Sequence, residues 1–153
     1  MARTGDNGRT EREIDLGPLD GLIGFNLCNA QEAAFRAFAR NVGAGGLKPG
    51  RFAALKVIHC NPGLTQMDLA RAIARDKSTV TPLIQDLQRH GLIERKPAKE
   101  DRRRNTLRLT AAGEETLCEL MRHAREHDCR LDAIVGEHKA LFLDLLHRVA
   151  KEI

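Results

Sequence analysis

A mainly α-helical chain with one small β-hairpin is what this sequence of 153 residues predicts. Three observations carry that expectation. Apolar residues recur at intervals of three and four over most of the length, the signature of helices with a buried face. Between Gly91 and Thr110 the period drops to two, in two short runs separated by a polar loop, which is the pattern of a hairpin. Residues that start helices (Thr65, Asp76, Thr110) and residues that stop them (Gly91, Gly136) stand where the patterns change. With 42% hydrophobic and 30% charged residues, the composition is that of an ordinary globular chain with room for a sizeable core. Only 3% of residues are aromatic, with no Trp and no Tyr, so that core must be aliphatic.

Taken in order, residues 1–15 read as a disordered tail, because "MARTGDNGRTERE" is polar and lacks the apolar run of a signal peptide or membrane span. From Pro18 to about Asn41 the spacing predicts one helix. Leu22, Ile23, Leu27, Ala30, Ala34 and Phe38 share a face, and Phe25, Cys28, Phe35 and Ala39 make a second apolar strip. A helix apolar on two sides is expected to be sandwiched. "VGAGGLKPG" ends it, and a second helix carries Phe52, Leu55, Ile58 and His59 before "NPG" at 61–63. Thr65 then caps a short helix, with Asp68 in the capping-box position. Asp76 caps the next, in which Val80, Leu83, Ile84 and Leu87 form the buried stripe and Gly91 closes the end. Pro82 inside that helix removes one backbone donor. "LIERKPA" and "NTLRLT" alternate as two strands, with "AKEDRRR" as the tip between them. Thr110 caps a long helix to about Arg130. After Gly136 a terminal helix places Leu141, Phe142, Leu145, Leu146 and Val149 on one face.

Charge singles out the hairpin. From Arg89 to Arg108 there are eight basic residues against three acids, +5, and the rest of the chain carries −1 of the total +4. Like charges crowded into one loop repel each other, so an oppositely charged partner is expected, and a localised basic patch is the footprint of a polyanion binder. No segment has the apolar length a bilayer requires. The four cysteines (Cys28, Cys60, Cys118, Cys129) form no C-x-x-C pair and read as reduced thiols of a cytoplasmic protein.

Helix, helix, recognition-type helix and hairpin together make a winged helix-turn-helix. In that arrangement the second helix of the pair enters the major groove of double-stranded DNA, with polar residues near its N-terminus at the base edges. Lys77, Ser78, Thr79 and Thr81 hold those positions, Pro82 and Gln85 follow on the outward side, and Thr65 and Gln66 open the preceding helix. The tip offers Arg102, Arg103 and Arg104, suited to the narrow, electronegative minor groove and to phosphates.

At these residues the sequence resembles the MarR (multiple antibiotic resistance regulator) family. The match rests on "LTQMDLARAI", on "DKSTVTPLIQDLQRHGLIER", and on Asp101-x-Arg103 followed by Leu109-Thr110-x-x-Gly113. The resemblance implies a homodimeric, DNA-binding transcriptional regulator, usually a repressor, on a pseudo-palindromic operator. It implies that Arg103 enters the minor groove, that Asp101 braces the wing by pairing with an arginine, and that Ser78, Thr79, Thr81 and Pro82 lie against the major groove. It also implies dimerisation through the first and last helices. The expected fold is therefore mainly α, a winged helix-turn-helix (46–112) with an N-terminal dimerisation helix (16–45), C-terminal dimerisation helices (113–153) and one small β-hairpin wing.

The expected regulator responds to a ligand. "NAQEAAFRAF" followed by "NPGLTQ" resembles the branch of the family whose effectors are aromatic acids or their coenzyme A thioesters. Arg36 sits on the polar strip of the first helix and suits an anionic group, with Phe25, Asn29, Phe35 and Phe38 around it as the ligand-binding set. The other reading pairs Arg36 with Glu32 on an exposed face.

"GFNLC" and "TPL" resemble the organic-hydroperoxide sensors of the family, in which tyrosines bond the reactive thiolate. This chain has no tyrosine, and Cys28 is read as a structural residue that burial would make inert. Cys118 and Cys129 read as packing residues. His123 and His127 have the i, i+4 spacing of a metal pair, as a zinc-responsive regulator would require, but two ligands on one helix read as a solvated face. No metal or cofactor is expected. No Ser-His-Asp set, Gly-rich phosphate loop or paired-carboxylate signature points to an enzyme. A winged helix that contacts proteins without DNA is the third class.

Overall fold

The computed structural model describes residues 14–42, 49–97 and 105–153. Two compact units divide the chain, Met1–Ala33 and Ala34–Ile153. The first opens with a 3-10 turn at Gly17–Gly21, Leu22 is extended, and helix α1 (Ile23–Val42) begins after it. The single helix expected from Pro18 is thus interrupted, because glycines at 21 and 24 weaken helix formation just where the turn ends. Asn26 seals the break by donating from Nδ2 to the carbonyls of Asp20 (2.7 Å) and Leu22 (2.9 Å). Cys28 is exposed, so the burial expected to make it inert is not found.

The second unit contains the end of α1, then α2 (Pro49–Cys60), α3 (Gln66–Ala72), α4 (Lys77–Arg89), strands β1 (Ile93–Pro97) and β2 (Asn105–Leu109), α5 (Ala111–Val135), a 3-10 turn at Gly136–His138, and α6 (Lys139–Glu152). Helices α2, α3, α4 and the first turns of α5 enclose an aliphatic core. Ala54, Leu55, Leu69, Val80, Ile84 and Leu87 are fully buried, with Ile58, Leu92, Ile93, Leu107, Leu117 and Leu120 completing the cluster. The 3.6-residue spacing produces most of this directly, since each buried helical residue lies on the inward stripe of its own helix, and Ile93 and Leu107 join from the two strands.

The three expected caps are all formed. The Thr65 hydroxyl accepts from the Asp68 amide and the Asp68 carboxylate accepts from the Thr65 amide (3.0 Å), a complete capping box. Asp76 accepts from the Thr79 amide at 2.7 Å, and Thr110 from the Gly113 amide at 3.0 Å. Gly91 ends α4 with φ +68°, a conformation that costs glycine little. Helix α5 runs five residues beyond the expected end at Arg130, until Gly136, at φ +54°, turns the chain.

The hairpin is antiparallel, with Ile93 opposite Leu109 and Pro97 opposite Asn105. Its alternation is imperfect. Thr106 and Leu107 are both buried, because β2 also leans on the segment before α3: Thr106 bridges Thr65, and the Leu107 amide donates to the Leu64 carbonyl at 2.8 Å. The buried Thr106 hydroxyl is satisfied by donating to the Lys96 carbonyl at 3.0 Å.

The root of the hairpin is joined tightly to α5. The Thr110 amide donates to the Leu92 carbonyl (3.1 Å) and its hydroxyl to the Gly91 carbonyl (2.6 Å). Gly113 lies so close that a Cβ there would collide with the Leu92 carbonyl oxygen. The Leu-Thr-x-x-Gly pattern is thus a packing device: Thr110 caps the helix and Gly113 lets it touch the strand.

Candidate nucleic-acid interface and effector cavity

Short polar side chains cluster at the start of α4. Lys77, Ser78, Thr79, Pro82 and Gln85 are exposed, whereas Val80 and Ile84 between them are buried. This is the helix expected to read DNA; of the residues expected to read it, these five share its outward side, whereas Thr81 is half-buried. Ser78 and Thr79 are organised by the cap: Asp76 accepts from the Ser78 hydroxyl at 2.5 Å and the Thr79 hydroxyl at 3.3 Å. Hydrogen bonds from Ser78 and then Thr79 hold the Asp76 carboxyl below its ordinary range.

Gln66 and Thr81 are tied into a relay that the sequence gives no hint of. Arg95 of β1 donates to the Gln66 carbonyl oxygen (3.1 Å), the Gln66 amide donates to the Thr81 hydroxyl (2.8 Å), and Thr81 donates to the Lys77 carbonyl (2.8 Å). One side chain therefore links α3, α4 and the hairpin. Arg51 and Asp86 clamp α2 to α4 with an ion pair of 2.5 Å that is three-quarters buried or more on both sides. The outward side of α4 stands on a braced support. Asp101, Arg102, Arg103 and Arg104 lie outside the described residues.

A cavity of about 410 Å³ opens in the second unit between the end of α1, the start of α2 and the middle of α5. Its walls are Phe35, Phe38, Pro49, Phe52, Met121, Ala124 and their neighbours. Three of the five phenylalanines in the chain are there. Phe38 and Phe52 meet with ring centroids 5.7 Å apart, and the His127 ring stands nearly edge-on to Phe38 at 5.8 Å and 78°. Its charged groups are Arg125 and Asp128. Asp128 has Lys139 at 3.7 Å, whereas Arg125 has no ion pair or hydrogen bond among the described residues.

Of the expected ligand-binding set, Phe35 and Phe38 line this cavity. Arg36 is exposed on the helix between them, and Phe25 and Asn29 belong to the first unit. Arg125 carries no signal in the sequence, being one arginine on a long polar helix; the i+4 spacing from Met121 is the only trace.

A second groove shares Met121 and Arg125 with the cavity and is lined by Lys56, His59, Cys118 and Arg122. His59 and Glu114 pair across it at 2.8 Å. Cys118 and Cys129, expected in the packing, are both exposed. Cys118 follows buried Leu117 by about 100° around the helix, which turns it outward. His123 and His127 are partly buried, and no group of three or more metal-ligating side chains occurs among the described residues. None of the described helices is long and apolar enough to cross a membrane.

Comparison with known proteins gives a consistent result. The family model for the MarR family matches residues 47–104. A protein of Thauera aromatica, described as a regulator of the hcr operon, is 34% identical over 142 residues, 92% of this chain and 86% of that protein. Among solved structures, the transcriptional repressor CouR bound to a 23-mer DNA duplex superposes with a TM-score of 0.82 at 29% identity, covering 92% of this chain and all of that one. CouR bound to p-coumaroyl-CoA gives 0.83 at 27% identity over the same shares.

Proposed function

The chain belongs to the MarR family of transcriptional regulators, and from that premise we propose that it is a cytoplasmic repressor that binds a pseudo-palindromic operator as a homodimer. A small anionic aromatic effector, a free acid or its coenzyme A thioester, releases it. The observation that carries the reading is the pairing of two features in one unit: a braced helix with an outward row of polar residues, and a phenylalanine-walled cavity with an arginine that has no ion pair or hydrogen bond among the described residues. Polar residues at the start of a recognition helix reach base edges, and arginines of a wing tip reach the minor groove and phosphates. An aromatic ring suits the cavity walls, and Arg125 suits a carboxylate or phosphate. The likeness to CouR, whose structures hold DNA and p-coumaroyl-CoA, supports both halves.

Release requires a ligand that prefers the arrangement unable to bind DNA. The test begins with DNA selected by the purified protein, so that affinity can be read by anisotropy on its own operator. Arg103→Ala should weaken binding by about tenfold with an unchanged melting temperature, as the loss of one minor-groove arginine. Aromatic acids and their thioesters should release the wild type; Arg125→Ala should still bind the operator but respond poorly, and Arg36→Ala tests the arginine that the sequence favours. A peroxide-induced release abolished by Cys28→Ser, with no effect of any aromatic anion, would establish the thiol sensor instead.

A further inference from the structure

The cavity contains one group that its apolar walls do not explain. His127 lies in its lining, yet Nδ1 is sealed from solvent and has no hydrogen-bond partner. Nε2, the other ring nitrogen of this lining residue, makes no hydrogen bond to a described group. Edge-on contact with Phe38 fixes the plane of the ring. An unmet buried polar atom carries a free-energy cost, so a valine or leucine would pack this wall better unless the other nitrogen had a use. The tautomer with its proton on Nε2 leaves only a lone pair at the sealed Nδ1 and makes the other nitrogen a donor. Asp128, another polar group of the lining, is already opposed by Lys139. Arg125 is the group for a full negative charge. His127 is therefore left for a neutral oxygen carried by the aromatic part of the ligand.

We propose that His127 is a specificity residue that hydrogen-bonds through Nε2 to a ring hydroxyl of the effector, so that the protein prefers hydroxyaryl ligands to their unsubstituted parents. The assignment rests on the reading that this cavity holds an aromatic effector. A hydroxyl fits because it accepts from the Nε2 proton and rotates to suit its own surroundings. An unsubstituted ring would fill the same volume and leave the donor unmet. That penalty is what makes a polar site reject an analogue lacking the polar group.

The experiment is calorimetry on the full chain with benzoate, its 2-, 3- and 4-hydroxy isomers, cinnamate and 4-hydroxycinnamate, each as free acid and as coenzyme A thioester. In the wild type at least one hydroxylated ligand should bind about tenfold more tightly than its parent, the worth of one hydrogen bond to a donor otherwise left unmet. His127→Phe keeps a ring against Phe38, so it should bind the parents as the wild type does and lose the preference to within about twofold. His127→Gln, which keeps a donor, should retain part of it and covers the case in which the Phe variant misfolds. Asp128→Asn should leave the preference in place. Equal binding of hydroxylated and parent ligands by the wild type, or a preference that survives in His127→Phe, overturns the assignment while leaving the effector reading intact. If none of the compounds binds, the effector reading fails and the assignment falls with it.

Discussion

Helices α4 and α6 both carry an apolar stripe, but Val80, Ile84 and Leu87 of α4 are fully buried, while Leu141, Phe142 and Leu145 of α6 are 58%, 45% and 45% exposed. The stripes look alike in sequence. What differs is the supply of partners: α4 is wrapped by α2, α3 and the hairpin, whereas α6 has no buried residue at all. Exposed leucines in ones and twos are ordinary, but a whole helical face left uncovered marks an association surface. The reading head therefore completes its core within one chain, and the terminal helix does not. Ile134 at 80% and Leu131 at 37% extend the uncovered surface along α5. A second copy of the chain is the partner proposed for it.

The strongest way to break this contrast is to delete α6 after Gly136. The truncated chain should lose the dimer and at least a hundredfold in operator affinity, because two half-sites about 34 Å apart need two linked readers. Light scattering and a gel shift measure both, and a truncated dimer with wild-type affinity would end the assignment of α6 to the interface.

Gly113→Ala attacks the other side of the comparison. The added methyl runs into the Leu92 carbonyl, a backbone atom that cannot swing aside, so the head should lose about 3 kcal/mol of stability. Urea unfolding at two protein concentrations sharpens the point. The loss should be independent of concentration for Gly113→Ala, whereas weakening α6 should give a loss that grows on dilution.

The smallest effect concerns the cap of the reading helix. The Asp76 carboxyl is held below its ordinary value of 3.8 by Ser78 and Thr79. A depressed value means that the cap stabilises the fold above that pH and fades as pH falls through the lower, folded-state value. Asp76→Ala should therefore be less stable than the wild type at neutral pH, with the gap closing below about pH 4. A gap that is constant from pH 7 to pH 3 would show that the charge is not what stabilises the turn.

Local signals of the head were legible in advance. Thr65, Asp76 and Thr110 sit where their side chains meet the orphan amides of the helices that follow, and such bonds span only three residues. The core stripe of α4 was equally legible, being a matter of period. Less was visible where contacts link distant segments. The bridge from Thr106 to Thr65 buries a threonine that alternation would leave outside, and the Arg95–Gln66–Thr81 relay spans 29 residues. The cavity shows the same limit. Phe35 and Phe38 announced themselves on α1, but Arg125 and His127 come from a helix about 90 residues later, and no local pattern pairs them.

The junction of Thr110 and Gly113 with Gly91 and Leu92 has a mechanical consequence. Helix α5 is one uninterrupted rod that carries the root of the hairpin at its first turn and the cavity wall from Met121 to Asp128 further along. At 1.5 Å per residue the distance from Gly113 to His127 is about 21 Å. Tilting such a rod by about 3° about one end displaces the other by about 1 Å, comparable with the interface shifts that switch other proteins. The close approach at Gly113 removes the slack at the joint. A displacement of the cavity wall is thus geared, along one rigid helix, to the root of the strand pair.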